Sequence, residues 1–201
     1  MQPALACNCC NDTMKTIINT PVPDFTVEAY TDGQFKTISR ADTLGKWAVY
    51  FFYPADFTFV CPTELEDMAE AYDRFRDLGV EVYAISTDSQ FSHKAWHDSS
   101  AAISKVKFPM LADKTGALSE AFGVLDPASF MAYRGTFVAN PDGQIKMAEI
   151  NDNGIGRNAE ELLRRLEAAQ FVAEHGEQVC PARWRPGKST LKPGIDLVGK
   201  I

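Results

Sequence analysis

The hydrophobic pattern changes its period on either side of residues 54–64. Before them, seven apolar or aromatic residues in succession (47–53) mark a buried strand. After them, Leu65, Met68, Tyr72 and Phe75 recur at steps of three, four and three, which predicts one face of a helix over 62–77, ended by Gly79. The β-branched and aromatic run 80–86 predicts a second strand. A helix over 91–104, a short strand at Met110-Leu111 and a helix near 115–122 follow. Strands 135–139 and 145–150 flank Asn140-Pro141-Asp142-Gly143, a strong hairpin turn. A last helix runs from Asn158, a candidate N-cap, to about His175. Upstream, residues 25–38 read as irregular or strand-like. Parallel crossovers first and an antiparallel hairpin last predict an α/β fold, with helices flanking a mixed central sheet.

The interval between the two periods carries the candidate chemistry. Cys61 lies at the strand-to-helix junction, with Pro62 at the expected first helical position. A cysteine there points its sulfur at unpaired backbone N–H groups and the positive end of the helix dipole, which favours the thiolate. A free cysteine is ordinarily a small buried hydrophobe. Here Thr58 stands one turn upstream and Pro54 and Pro62 lie on either side, which favours the chemical reading. A dithiol oxidoreductase would carry Cys-x-x-Cys at this junction, but this chain reads Cys61-Pro62-Thr63-Glu64. Cys61 therefore acts alone or meets a thiol from elsewhere.

Composition narrows the class. With 201 residues, 45% hydrophobic and 23% charged, the chain suits one domain with a good core. A net charge of −7 gives no reason to expect nucleic acid or an anionic membrane as partner. No apolar run approaches ~18 residues, and the N-terminus lacks the charge and apolar length of a secretory signal. The expectation is a soluble cytoplasmic protein, where cysteines are more often catalytic or metal-binding than structural. The five cysteines form no disulfide framework: Cys7, Cys9 and Cys10 cluster early, Cys61 is central and Cys180 is late. The early cluster lacks the second ligand pair of a structural zinc site. Residues 1–15 are expected to be a flexible extension, with Met14 an alternative start, 16–175 the domain, and 176–201 a C-terminal arm rich in Gly, Pro and Lys. An arm this polar is not expected to fold back on its own subunit. His93 and His97 share an i,i+4 spacing but lack the Glu and third ligand of a zinc helix, so surface or interface histidines are expected. No hydrolase signature surrounds Cys61.

Pro54-x-x-x-Thr58-x-x-Cys61 resembles the active-site motif of the peroxiredoxins. The run 51–64, Ser86-Thr87-Asp88, 93–97, 134–138, Gly154-Ile155-Gly156-Arg157 and Val179-Cys180-Pro181-Ala182-x-Trp184 are similar to the bacterial alkyl hydroperoxide reductase C group of typical two-cysteine peroxiredoxins, over roughly residues 20–201. The resemblance implies a thioredoxin-like fold. It implies that Cys61 is the peroxidatic cysteine, oxidised to a sulfenic acid, and that Cys180 of a partner subunit resolves it as an intersubunit disulfide. Arg134 would hold thiolate and peroxide, with Glu64 and Arg157 orienting it. Thr58 would place a hydroxyl near sulfur and substrate, and Pro54 would wall the thiolate from water. No bound cofactor is implied. Electrons would come from an external thiol/disulfide reductase, either an NADH-dependent flavoprotein or thioredoxin. A homodimer assembled into a decamer is also implied, with dimers meeting around Phe91-Ser92-His93. A non-enzymatic redox sensor or stress chaperone using the same cysteine is the alternative.

Overall fold

The computed structural model describes residues 16–201. Residues 1–15, with Cys7, Cys9 and Cys10 and the expected extension, lie outside the described residues. Among those described, seven strands form one mixed sheet in the order β2-β1-β5-β4-β3-β8-β9. They are β1 (Thr26–Thr31), β2 (Gln34–Ser39), β3 (Trp47–Phe52), β4 (Val80–Ser86), β5 (Met110–Ala112), β8 (Arg134–Ala139) and β9 (Ile145–Asn151). The contacts β3–β4 and β4–β5 are parallel, and the others are antiparallel. A short separate hairpin, β6 (Leu125–Asp126) with β7 (Met131–Ala132), precedes β8.

The apolar run of β3 is buried on both sides because it lies inside the sheet. Val49 and Phe51 join Leu65, Met68 and Phe75 of α1 (Cys61–Asp77), Trp96 of α2 (Gln90–Ser99) and Leu162, Leu163 and Leu166 of α4 (Ala159–Glu174). Ala48, Tyr50 and Phe52 face the other way, toward Phe137 of β8, Phe122, and Leu118 of α3 (Ala117–Ala121). Burying one such large side chain contributes ~1.5–3 kcal/mol. Tight packing on both faces fixes where β3 ends, and therefore where Cys61 starts.

Several expectations change in detail. The stretch 25–38, expected to be irregular or strand-like, takes the strand-like form as the β1–β2 hairpin, turned by Asp32-Gly33 with φ of 50° and 74°. That two-residue Asp-Gly turn matches the twist of the flanking strands. The helix expected over 91–104 ends at Ser99. The Ser99 hydroxyl donates to Ala95 O at 2.7 Å and Ser100 turns extended, a local competition typical of serine. A separate 3-10 turn, Ile103–Lys105, then buries Ile103. The helix expected near 115–122 shortens to α3, whose first N–H groups are taken by the Asp113 carboxylate.

The arm also departs from expectation, since it lies back on its own subunit. Trp184 is 3% exposed, packs tilted against Phe171 with centroids 5.0 Å apart, and donates from Nε1 to Lys188 O. Val179 and Leu191 exchange backbone hydrogen bonds of 2.8 and 3.0 Å. One indole supplies the apolar anchor that the segment otherwise lacks. No described helix is long and apolar enough to cross a membrane.

Candidate active site

β3 delivers the chain to the edge of the core, and residues 53–60 loop across to the start of α1. Phe57 takes a left-handed backbone, φ 55°, within this loop. Cys61 is the first residue of α1 and is fully buried. Pro62 therefore occupies the second helical position, one later than the spacing suggests, where its missing N–H is again no loss. Cys61 Sγ thus sits at the positive end of a helix of 17 residues.

Three charged side chains converge beside it from segments far apart in sequence. Arg134 opens β8 and donates from Nη1 to Cys61 Sγ at 3.4 Å and to Glu64 Oε2 at 2.7 Å. Its Nε donates to Asn153 O at 2.9 Å. Arg157 donates from Nε and Nη2 to the two Glu64 oxygens, each at 2.9 Å, and from its backbone N–H at 2.8 Å. Its Nη1 reaches Gly135 O and Thr136 Oγ1, and its guanidinium lies 3.5 Å over the Phe51 ring. All three side chains are almost wholly buried, at 2–4% exposure. Two guanidinium groups and one carboxylate leave a net single positive charge, which a Cys61 thiolate would neutralise. Burial by itself would raise the Glu64 carboxyl. The hydrogen bonds and charge of Arg157, with the charge of Arg134, outweigh it and hold that carboxyl below its ordinary value.

Replacing Glu64 with Gln leaves two buried guanidinium groups without their anion, which costs ~3–5 kcal/mol. Chemical denaturation at neutral pH should show that loss. A depressed folded value means that Glu64 contributes stability above its unfolded value of ~4.3, lost as pH falls through the lower folded value. The gap between wild type and variant should therefore close in acid; an unchanged gap would show that the carboxylate charge is not what holds the frame.

The other expected site residues are placed less directly. Pro54 is buried beneath the loop. Thr58 is partly buried, and its hydroxyl donates to Ala55 O at 2.9 Å, not to Cys61. Cys180 lies elsewhere in the subunit, half-buried with Sγ directed at Ala168 O of α4 at 3.8 Å. Burial raises its thiol pKa. It opens on a separate cavity of about 680 Å³, bounded by α4, the start of β9 and the arm. Cys61 and Cys180 are both free thiols among the described residues.

Sequence reasoning missed a buried polar network behind the loop. His93 is not a surface or interface residue in the subunit, because its side chain is 0% exposed. Its Nδ1 lies 2.9 Å from Asp56 Oδ2 and its Nε2 lies 3.2 Å from Leu111 O. Tyr53 OH donates to Asp56 Oδ1 at 2.8 Å, and the Asp56 N–H donates to Asp88 Oδ2 at 2.8 Å. Burial, then the adjacent Asp56, pushes the Tyr53 hydroxyl well above its ordinary value. These bonds pin the loop bearing Thr58 to β4, β5 and α2. The signal was the position of His93 within a matched run; its spacing to His97 was the misleading feature. His97 is half-buried, with Nε2 3.3 Å from Val106 O.

Residues 18–148 match the AhpC/TSA family. The chain belongs to that family. Residues 168–196, which include Cys180, match the C-terminal domain of 1-Cys peroxiredoxin. Alkyl hydroperoxide reductase C of Escherichia coli is 52% identical over 186 residues, 92% of this chain and all of the relative. The Staphylococcus haemolyticus protein of the same name is 50% identical over 188 residues, with 92% and 100% covered. Among solved structures, Enterococcus faecalis AhpC aligns with a TM-score of 0.81 at 59% identity, covering 83% of this chain and 100% of that one. The reduced 2-Cys peroxiredoxin of Plasmodium vivax aligns with a TM-score of 0.87 at 33% identity, covering 90% and 96%. This AhpC/TSA member is a peroxiredoxin, a thiol-dependent peroxidase with a thioredoxin-like fold. Enzymes of this kind work through cysteine thiols and not through a prosthetic group.

Proposed function

We propose that this peroxiredoxin reduces hydrogen peroxide and alkyl hydroperoxides at Cys61 and resolves the product through Cys180 of a partner subunit. The observation that carries the reading is Arg134, 3.4 Å from a buried sulfur at a helix N-terminus and locked by Glu64. The Cys61 thiolate attacks one peroxide oxygen; the S–O bond forms, the O–O bond breaks, and hydroxide or alkoxide leaves and takes a proton. Arg134 faces both the sulfur and the charge developing on the peroxide oxygens. Thr58 presents a hydroxyl from the adjacent loop, and Pro54 contributes a wall without a donor. Glu64 and Arg157 set the orientation of Arg134.

The resulting sulfenic acid condenses with a thiol: an S–S bond forms and water departs. Cys180 stands in a different cavity of the same subunit, which favours the partner's Cys180 as the attacker. Because Cys61 is fully buried, the first turn of α1 must unwind to expose it. Residues 16–175 would act as the catalytic domain and 176–201 as the arm that brings the resolving thiol. A thiol/disulfide reductase, either an NADH-dependent flavoprotein or thioredoxin, returns both cysteines to thiols in the cytoplasm.

Turnover separates this enzyme from a redox sensor built on the same cysteine. With peroxide, NADH and the flavoprotein reductase, or with NADPH, thioredoxin reductase and thioredoxin, many peroxide equivalents per subunit should be consumed. Consumption that stops after a stoichiometric amount with both reductants would favour the sensor.

Assembly is proposed as a homodimer gathered into a decamer. Residues 91–93 lie in the first turn of α2, where Phe91 (64% exposed) meets Phe35 (45% exposed) edge to face, with centroids 5.2 Å apart. Two neighbouring exposed aromatics suit a contact between dimers. Light scattering of the reduced protein at micromolar concentration should give the mass of ten subunits, falling after oxidation. A mass of two subunits in the reduced state would refute the decamer.

A further inference from the structure

One peptide group sets the direction of the Thr58 hydroxyl. On its carbonyl side, Ala55 O accepts the Thr58 hydrogen at 2.9 Å; on its amide side, the Asp56 N–H donates to Asp88 Oδ2 at 2.8 Å. A peptide group is planar, so holding one edge fixes the other. Asp88 is itself held. Ser86 Oγ donates to the same Asp88 oxygen at 2.9 Å, and the Asp88 N–H donates to Ser86 Oγ at 3.2 Å. Ser86 is wholly buried at the end of β4. The turn after β4 therefore reaches, through one plane, the hydroxyl three residues before Cys61. With its hydrogen committed to Ala55 O, that hydroxyl keeps its lone pairs free for the O–H of a peroxide.

The Asp56 side chain fixes the same segment from behind. Its two oxygens meet Tyr53 OH at 2.8 Å and His93 Nδ1 at 2.9 Å. The far end of the His93 ring abuts Leu111 O of β5, 3.2 Å from Nε2, and when protonated the ring donates at both ends. Phe57, next in the chain, holds a left-handed backbone that persists only where its surroundings impose it. Its ring lies tilted against Trp96, centroids 5.8 Å apart, one turn along α2 from His93. Residues 55–57 are thus held from β4, β5 and α2 together. The sulfur has its own support in Arg134 and Glu64, and among the described residues no hydrogen bond joins Asp56, Asp88 or His93 to either.

We propose that Asp88 and the Asp56–His93 couple are positioning residues for the peroxide step that act through Thr58 and not through the sulfur, which rests on Thr58 facing the peroxide as proposed above. Two carboxylates and an imidazole outside the charge frame then place one acceptor for the peroxide hydrogen. Arg134 is left to govern the thiolate.

Rapid mixing of reduced protein with hydrogen peroxide, quenched and read by mass spectrometry on the Cys61 peptide, gives the rate constant of the first oxidation. Thr58→Val should lower it on the order of 10²-fold. Asp88→Ala should lower it about tenfold to a hundredfold, because a small misplacement of a reacting group is enough. Asp88→Asn still accepts from the Asp56 N–H and should restore most of the rate. Asp88 is partly exposed, so the fold should tolerate both changes. Asp56→Ala/His93→Leu removes both buried partners at once, which spares the fold an unpaired charge, and Tyr53 keeps Ser86 as a partner. It should slow oxidation as Asp88→Ala does. In a Thr58→Val background, neither Asp88→Ala nor the paired change should lower the rate further. Alkylation of Cys61 by iodoacetamide needs the thiolate but no placed acceptor, so it should not slow in any variant. Wild-type oxidation rates in both Asp88→Ala and the paired variant overturn the proposal. So do losses that multiply with that of Thr58→Val, or slowed alkylation, since the groups would then act elsewhere than through Thr58. Thr58→Val oxidised at the wild-type rate would instead overturn the parent reading of Thr58.

Discussion

Replacing Cys61 with Ser reduces peroxide turnover to the level of buffer while the fold survives. A serine hydroxyl stays protonated near neutral pH, and its oxygen cannot expand into a sulfenate. Removing the nucleophile around which an active site is built can cost on the order of 10⁶ in kcat. Nothing else nearby can substitute, because Cys180 occupies a separate cavity and Thr58 carries only a hydroxyl. Stability should change by no more than ~1–2 kcal/mol, since a hydroxyl still accepts from Arg134 Nη1. The coupled assay should be run beside a thermal melt. Substantial turnover in a folded variant would end the assignment of Cys61 as the peroxidatic cysteine.

Replacing Cys180 with Ser separates the two halves of the cycle. The variant should consume one peroxide equivalent per subunit at the wild-type rate, because the groups around Cys61 are untouched. Repeated turnover with a disulfide reductase should then fail, since no disulfide forms for it to reduce. The thiol is half-buried with only a long contact to Ala168 O, 3.8 Å, so the fold should tolerate the change. On non-reducing gels, oxidised wild type should run as a covalent dimer and both cysteine variants as single subunits. An oxidised wild type running as a single subunit, with Cys61–Cys180 found by peptide mapping, would show an intrasubunit bridge instead.

The site was legible in part. The change of period around residues 54–64 put Cys61 at a strand-to-helix junction, and the structure placed it within one residue of that expectation. Arg134 at the head of its strand, and Glu64 and Arg157 as residues that orient it, could be read from matched runs. Their geometry could not: Glu64 meets its two arginines across 70 and 93 residues of sequence. His93, whose spacing to His97 suggests a surface or interface residue, is instead buried against Asp56, 37 residues away.

By itself, the sequence determined the strand and helix around Cys61, the hairpin β8–β9, the missing second thiol at position 64 and the resemblance to two-cysteine peroxiredoxins. These are local properties: period, turn chemistry and residue identity act over a few neighbours. Only the tertiary structure decided the strand order, the burial of His93, the charge frame around the sulfur, and the return of the arm through Trp184. It also decided that Cys61 and Cys180 stand apart within the subunit. Each of those depends on which distant surfaces find apolar or charged partners once the sheet has closed, and no local period records that choice.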